Sequence, residues 1–185
     1  MDKAAYLRIG YAVLMGLLGA AILHIVILLL LPEISSRNAW SRMAEASDLY
    51  QPVQLRNGLP DAVHDGNRDP LFRSLACRFD LTDGLLRIQA SGAVPFWSAS
   101  VYDRAGNNIY SFNDRSAHDK ALDVVVLTPA QMLEVRKEVP EDLGQSVFVE
   151  TRSEEGIAVV RVFTPDESWM PAVDSFLDSI RCQPQ

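Results

Sequence analysis

Apolar and polar positions divide the chain into two unlike stretches. From residue 9 to residue 31 the only strongly polar side chain is His24. As a helix, such a run rises about 1.5 Å per residue and reaches roughly 34 Å, enough to cross a hydrocarbon core of about 30 Å. A cleaved secretory signal is the competing reading, but its apolar core is normally about 7–15 residues long and ends at small residues. Here the run ends Leu28-Leu29-Leu30-Leu31-Pro32-Glu33. The expectation is a retained transmembrane helix over 9–32, with residues 1–8 before it.

The pattern then shifts. Ser35-Ser36 offers an N-cap for a short juxtamembrane helix that sets Trp40 and Met43 on one side, with Trp40 expected at or near the membrane interface. Residues 55–70 are crowded with Asn57-Gly58, Leu59-Pro60, Asp65-Gly66-Asn67 and Asp69-Pro70, which read as irregular connection. The organisation expected is therefore 33–70 for juxtamembrane helix and connection, and 71–185 for a β-rich domain.

Within that domain the apolar period is mostly two. Cys77, Phe79 and Leu81 alternate with Arg78 and Asp80; Thr82-Asp83-Gly84 supplies a turn, and Leu86, Ile88 and Ala90 continue the apolar face. Residues 96–102 and 109–112 flank a Gly- and Asn-bearing turn and predict a β-hairpin. The nearly unbroken apolar run 122–127 predicts a central strand. Residues 147–151 and 157–163 predict a second hairpin around Ser153-Glu154-Glu155-Gly156. Thr128-Pro129 caps a helix ahead of Gln131. A last helix is expected from Ser168, with Pro171 in its first turn and Val173, Phe176, Leu177 and Ile180 as its buried stripe, ending at Cys182. These elements predict a mainly β fold: an antiparallel β-sandwich or jelly-roll-like domain with a packed C-terminal helix, preceded by one transmembrane α-helix. An α+β layer with one open sheet is the alternative.

Charge narrows the function classes. The whole chain carries −7, and setting aside Asp2, Lys3 and Arg8 leaves the rest more acidic still. Binding to nucleic acid or spreading on anionic lipid needs a basic face, so neither is expected. Lys3 and Arg8 before the span are matched by Arg37 and Arg42 after it. The α-amine and the closeness of Arg8 to the apolar run favour an N-terminus inside and the large C-terminal part exported. In an oxidising compartment the pair Cys77 and Cys182 reads as a disulfide, with two buried free thiols as the alternative.

Few constellations carry chemistry. Ala12, Gly16, Ala20 and His24 recur every fourth residue, so one face of the span allows close approach of another helix and offers it a polar group; the alternative is that small residues are simply common in such spans and a neutral His24 is tolerated there. Trp97, Tyr102, Tyr110, Asn113 and Asp114 lie in the first hairpin and form a candidate ligand patch; aromatic pairs that only stabilise the sheet are the alternative. His64 and His118 have acidic neighbours but no spacing that aims two ligands at one ion, so no metal is expected. There is no G-x-S-x-G and no phosphate-cradling glycine loop, so no catalytic residues are assigned and no cofactor is expected.

The segments Ala76-Cys77-Arg78-Phe79-Asp80-Leu81, Phe96-Trp97-Ser98 with Tyr102-Asp103, Tyr110-Ser111-Phe112-Asn113-Asp114-Arg115 and Leu127-Thr128-Pro129-Ala130-Gln131 together carry a resemblance. With a His-bearing anchor ahead and a cysteine near the C-terminus, the chain resembles short, membrane-anchored alphaproteobacterial proteins of the domain of unknown function 1254 family, sibling of family 1214. The resemblance implies a β-sandwich-like domain and a partner of the sibling type, also anchored by one helix. It supplies no reaction, and the longer two-domain members contain a second half that this sequence lacks. The resulting expectation is a single-pass protein of the bacterial inner membrane, N-terminus cytoplasmic and β-domain periplasmic. It would serve as a non-enzymatic binding or assembly component of the cell envelope. A module or enzyme for a small molecule or glycan, using the aromatic hairpin 96–115, is the second expectation.

Overall fold

Leucine, isoleucine, valine and alanine dominate the first helix, α1 (Lys3–Ile34), and every side chain from residue 8 to residue 30 is exposed. Its segment Arg8–Leu30 has a mean hydropathy of 2.8 and is long and apolar enough to cross a membrane. The computed structural model describes residues 3–34, 39–56, 59–60 and 71–185. The Ser35-Ser36 cap, the turn signals at 57–58 and 61–70, and His64 lie outside the described residues. The chain separates into two compact units, Met1–Arg37 and Asn38–Gln185.

The second unit begins with α2 (Ala39–Ala46), followed by β1 (Val53–Arg56) and β2 (Leu59–Pro60). Part of the stretch expected to be irregular is thus a strand pair. After β3 (Phe72–Asp80) a one-turn 3-10 helix at 81–83 leads to β4 (Leu86–Ala90), then to β5 (Trp97–Asp103), β6 (Asn108–Asn113) and β7 (Leu122–Leu127). The remainder is α3 (Pro129–Lys137), β8 (Val147–Glu150), β9 (Glu155–Phe163), α4 (Met170–Ser179) and β10 (Arg181–Pro184).

Two sheets result, a six-stranded one in the order β2-β1-β3-β9-β5-β6 and a four-stranded one in the order β10-β4-β7-β8. Alternation explains the face each strand buries. Leu75, Cys77 and Phe79 of β3, Val160 and Val162 of β9, and Trp97, Ala99 and Val101 of β5 join one core with Leu86, Ile88, Val124, Val126 and Val149 of the second sheet. Val173, Phe176, Leu177 and Ile180 add the apolar stripe of α4 to that core. The outer faces are partly covered too. Trp40 and Met43 of α2 pack on Ala76 and Ile157. Beneath the other sheet, Val125 and Leu127 meet Leu143, Met132 and Val135. This is the mainly β, two-sheet fold with a packed C-terminal helix; two sheets exclude the single open layer.

Four local expectations are corrected. Trp40 is packed into the second unit rather than left open: it is buried, with the Arg78 guanidinium 4.9 Å and the Arg104 guanidinium 5.8 Å from its ring centre. β8 and β9 are not a hairpin. β8 pairs in parallel with β7, while β9 crosses to the other sheet and runs between β3 and β5. The parallel pairing needs a long crossover, and the segment containing α3 supplies it. Gly156 is consequently a strand residue, opposite Phe79 on one side and Asp103 on the other. Lastly, helix α4 stops at Ser179. Ile180 is extended, and Cys182 lies on strand β10 opposite Ile88.

The cysteines are joined. Cys77 of β3 and Cys182 of β10 form a disulfide between the two sheets, with Cα atoms 6.6 Å apart. That separation lies within the range a disulfide spans.

Candidate functional site

The residues of the proposed ligand patch do not converge on one face. Trp97 begins β5 with its ring in the core, only 2% exposed, and its indole N–H donates to the Lys120 carbonyl at 2.8 Å. Burial of an aromatic ring with a polar tip is stable when that tip finds an acceptor. Phe112 of β6 meets Trp97 edge to face at 5.8 Å, and Tyr110 follows Phe112 at 5.9 Å. Trp97, Phe112 and Tyr110 thus form a row that runs from the core to the open edge, where Tyr110 is 47% exposed. Tyr102 stands an odd number of positions from Trp97 on β5, so it projects from the opposite face. Asn113 caps the turn that follows β6: its side-chain oxygen accepts from the Arg115 N–H at 3.0 Å. Asp114 is buried, its backbone N–H donates to the Trp97 carbonyl at 3.1 Å, and its Oδ1 has no hydrogen-bond partner.

Beside this turn lies an open cleft of about 500 Å³, walled by Ser116, Ala117 and His118 on one side and by 144–147 on the other. Ser146, one of its lining residues, has a buried hydroxyl without a partner. His118 is exposed and faces the carboxylate of its neighbour Asp119 at 3.4 Å. Asp119 and Lys120 both hold positive φ, at 49° and 58°. This is an uncommon conformation for residues other than glycine, more so for Lys120 than for Asp119, and here the Lys120 carbonyl accepts from Trp97. Among the described residues no group of three His, Cys, Asp or Glu is arranged to hold a metal ion. The cleft has no cluster of acid, base and nucleophile.

Two polar constellations went unnoticed in the sequence. Arg87 of β4 is buried on the outer face of its sheet. It grips Asp123 of β7 through two bonds of 3.0 and 2.9 Å, and reaches both the side chain and the carbonyl of Asp142 at 2.6 Å. Bidentate carboxylate binding suits the planar guanidinium, and here it fastens the segment after α3 to the sheet. The side-chain hydrogen bonds that Arg87 donates to Asp123, the largest effect, raise its pKa further. Arg78 is the other case. It lies over Trp40 and donates to the Ser47 carbonyl at 3.0 Å, while burial lowers its pKa. The residue types alone carried no signal, because both arginines sit at polar positions of alternating strands and read as solvent-facing.

A family profile described as "Protein of unknown function (DUF1254)" matches residues 53–184. The chain belongs to the DUF1254 family. Among curated proteins, none matches this DUF1254 sequence. Two crystal structures share the fold. The VPA0106 protein of Vibrio parahaemolyticus is similar with a TM-score of 0.57 and 10% identity, over 83% of this chain and 34% of that one. An uncharacterised protein from Burkholderia cenocepacia is similar with a TM-score of 0.50 and 14% identity, over 81% of this chain and 39% of the other. The DUF1254 chain therefore spans little more than a third of the length of these structures, and the likeness concerns fold alone.

Proposed function

We propose that this protein is an anchored, non-enzymatic binding and assembly component of the bacterial cell envelope. In this reading α1 spans the inner membrane with its N-terminus in the cytoplasm, and the second unit stands in the periplasm. The observation that carries the reading is α1 itself: a 23-residue apolar segment with none of its surface covered. In water that surface would be strongly disfavoured, at about 25 cal/mol for each exposed apolar Å². Lipid, or another helix in lipid, removes the cost. The Cys77–Cys182 bond supports an oxidising location for the second unit.

The working surface in the membrane is the face of Ala12, Gly16, Ala20 and His24. Gly16 has nothing within 4 Å of where a side chain would begin, so a second backbone can approach it closely. Its partner is another transmembrane helix, either the same face of a second copy or that of a membrane-anchored protein of the sibling family. Against an enzymatic reading stand the shallow cleft and the scattering of the five hairpin residues over different faces.

Fusions at the C-terminus test the topology: alkaline phosphatase is expected to be active and a cytosol-only fluorescent reporter dark. The reverse result removes the periplasmic assignment. Affinity purification from solubilised membranes tests the partner. Recovery of a stoichiometric partner that is lost in Gly16→Ile and His24→Leu supports the helix face, and recovery of a lone monomer removes it.

A further inference from the structure

We propose that the open cleft between 116–118 and 144–147 binds a neutral sugar unit, held by the side chains of His118, Gln145 and Ser146. The two walls stand in front of neighbouring strands. Residues 116–121 lead into β7 and 144–146 lead into β8, and these strands run parallel with Val124 opposite Val147. Their N-terminal ends therefore lie side by side, and the segments that precede them frame one cleft of about 500 Å³. Small-molecule sites span roughly 300–1,000 Å³.

Both walls are anchored from behind. On the first, the Lys120 carbonyl accepts from the Trp97 indole at 2.8 Å, the Ala121 N–H donates to the His118 carbonyl at 2.9 Å, and the Ser116 hydroxyl donates to the Asn113 carbonyl at 2.9 Å. On the second, Arg87 grips Asp142, Leu143 is buried, and the Ser146 N–H donates to the Leu143 carbonyl at 3.0 Å. Local rules are nevertheless broken in these same segments. The Ser146 hydroxyl is buried without a partner although Ser146 lines the cleft, and Asp114 Oδ1 is likewise unpaired two residues ahead of Ser116. Asp119 and Lys120 add two consecutive positive φ angles. Unpaired buried polar atoms and uncommon backbone conformations each cost stability, and they gather where function requires them. A serine hydroxyl reorients by one χ1 step, so a ligand in the cleft can supply the partner that the protein does not.

The lining selects the chemistry of that ligand. No Asp, Glu, Lys or Arg lines the cleft, and the flanking Asp119 and Lys120 carry opposite signs, so a charged ligand finds no counter-charge there. His118 and Gln145 are exposed, and His118 turns Nε2 toward Asp119, which leaves Nδ1 for a ligand. A neutral imidazole, an amide and a hydroxyl each combine donor and acceptor in one side chain. A sugar hydroxyl has the same dual character, whereas an ammonium only donates and a phosphate dianion only accepts. Ala117 and Val147, both half-buried against the core, offer the C–H face of a sugar ring an apolar neighbour. The inference concerns the second unit and is independent of which helix α1 meets.

Saturation-transfer NMR on the full chain, held in a detergent without a sugar headgroup, tests it. The probes are the methyl glycosides of glucose, galactose, mannose and N-acetylglucosamine. At least one is expected to saturate with a Kd of about 1–10 mM, as a few net hydrogen bonds in an open cleft allow. Glucosamine and glucuronate, cationic and anionic, are expected to bind no more tightly than the glucoside. Ser146→Ala and His118→Ala are each expected to weaken the binding about fivefold, the loss of one hydrogen bond. Ser146→Ala is also expected to leave the unfolding temperature unchanged or raise it, because the hydroxyl it removes has no partner in the protein. His118 is exposed, so its truncation tests the site even should Ser146→Ala fail to fold. The proposal is overturned if none of the four glycosides saturates below about 100 mM, if either charged sugar binds more tightly than the glucoside, or if the folded cleft variants bind as the wild type does. Loss of binding in Tyr110→Ala, on the aromatic hairpin, with binding intact in the cleft variants overturns it as well.

Discussion

Removing the inter-sheet disulfide by Cys77→Ala with Cys182→Ala perturbs the fold at its longest covalent loop. The two residues are 105 positions apart. In the chain-entropy account, closing a loop of that length removes about 16 cal/mol/K from the unfolded chain, which is about 4.8 kcal/mol at 25 °C. Observed losses on removing native disulfides run from about 2 to 5 kcal/mol. With a urea dependence of about 2 kcal/mol per molar for a unit of this size, the unfolding midpoint falls by about 1–2.5 M. The consequence is local as well as global, because β10 is an edge strand of four residues held by β4 and by this bond. Amide exchange in β10 is therefore expected to accelerate more than in β3, which has partners on both sides. The assay is urea unfolding of the detergent-solubilised full chain by tryptophan fluorescence, with exchange read by mass spectrometry. A midpoint shift below about 0.5 M, or two alkylatable thiols in the native protein, would refute the reasoning.

Three further predictions concern the elements that set the topology. Gly156→Ala would place a Cβ 2.4 Å from both Phe79 Cζ and the Tyr102 carbonyl oxygen, so the variant is expected to lose about 3 kcal/mol, the upper end for overpacking, measured by denaturant unfolding. Thr128→Ala removes the capping box it shares with Gln131 and is expected to cost about 1 kcal/mol by the same measurement; no change would mean the cap is dispensable. Asp166 gives a pH signature. The Ser168 hydroxyl, then the Ser168 N–H, hold its carboxyl below the ordinary value of 3.8, so its contribution is present above that value and is lost as pH falls through the depressed one. Asp166→Ala is therefore expected to lower Tm at pH 7, and the deficit should shrink as the solution is acidified below roughly pH 4. A deficit that grows with acid would reverse the sign of the argument.

The strands were legible because alternation reports which side chains are buried, and Cys77, Phe79, Trp97, Val124 and Val160 are buried as the pattern requires. Sheet membership was not, because alternation is silent about partners. The segments 81–83 and 151–154 both resemble hairpin turns, yet each carries the chain from one sheet to the other. In the first, Asp80 Oδ1 accepts from the Thr82 N–H at 2.9 Å, and Gly84 takes a φ of 138° with no room for a side chain beside Gln185. In the second, Thr151 N–H donates to Leu127 O and Leu81 N–H to Glu154 O, so the crossing segments brace one another. Both ties join residues far apart in sequence. The five residues of the candidate patch are dispersed for a related reason: successive residues of a strand are neighbours in sequence but face opposite sides, so Trp97 and Tyr102 project from different faces of β5.

The same non-local ties explain where this domain is closed and where it is open. Arg87 fastens 138–146 to the second sheet, the disulfide pins β10 across the core, and α2 lays Trp40 over β3 and β9 beneath two guanidinium groups. Each of these couples an outlying segment to a central strand, and each leaves the face or edge it covers unavailable to a partner. The family match begins at residue 53, so the covering of Ala76 and Ile157 by α2 comes from residues ahead of the matched region. At one end of the six-stranded sheet stands β6, where the aromatic row from Trp97 through Phe112 reaches the surface at Tyr110. The row is anchored at its inner end, because the Trp97 indole N–H donates to the Lys120 carbonyl and Phe112 meets the Trp97 ring edge to face. Aromatic density in the 96–115 hairpin is thus better explained by the order it imposes on β6 than by a pocket for a ligand.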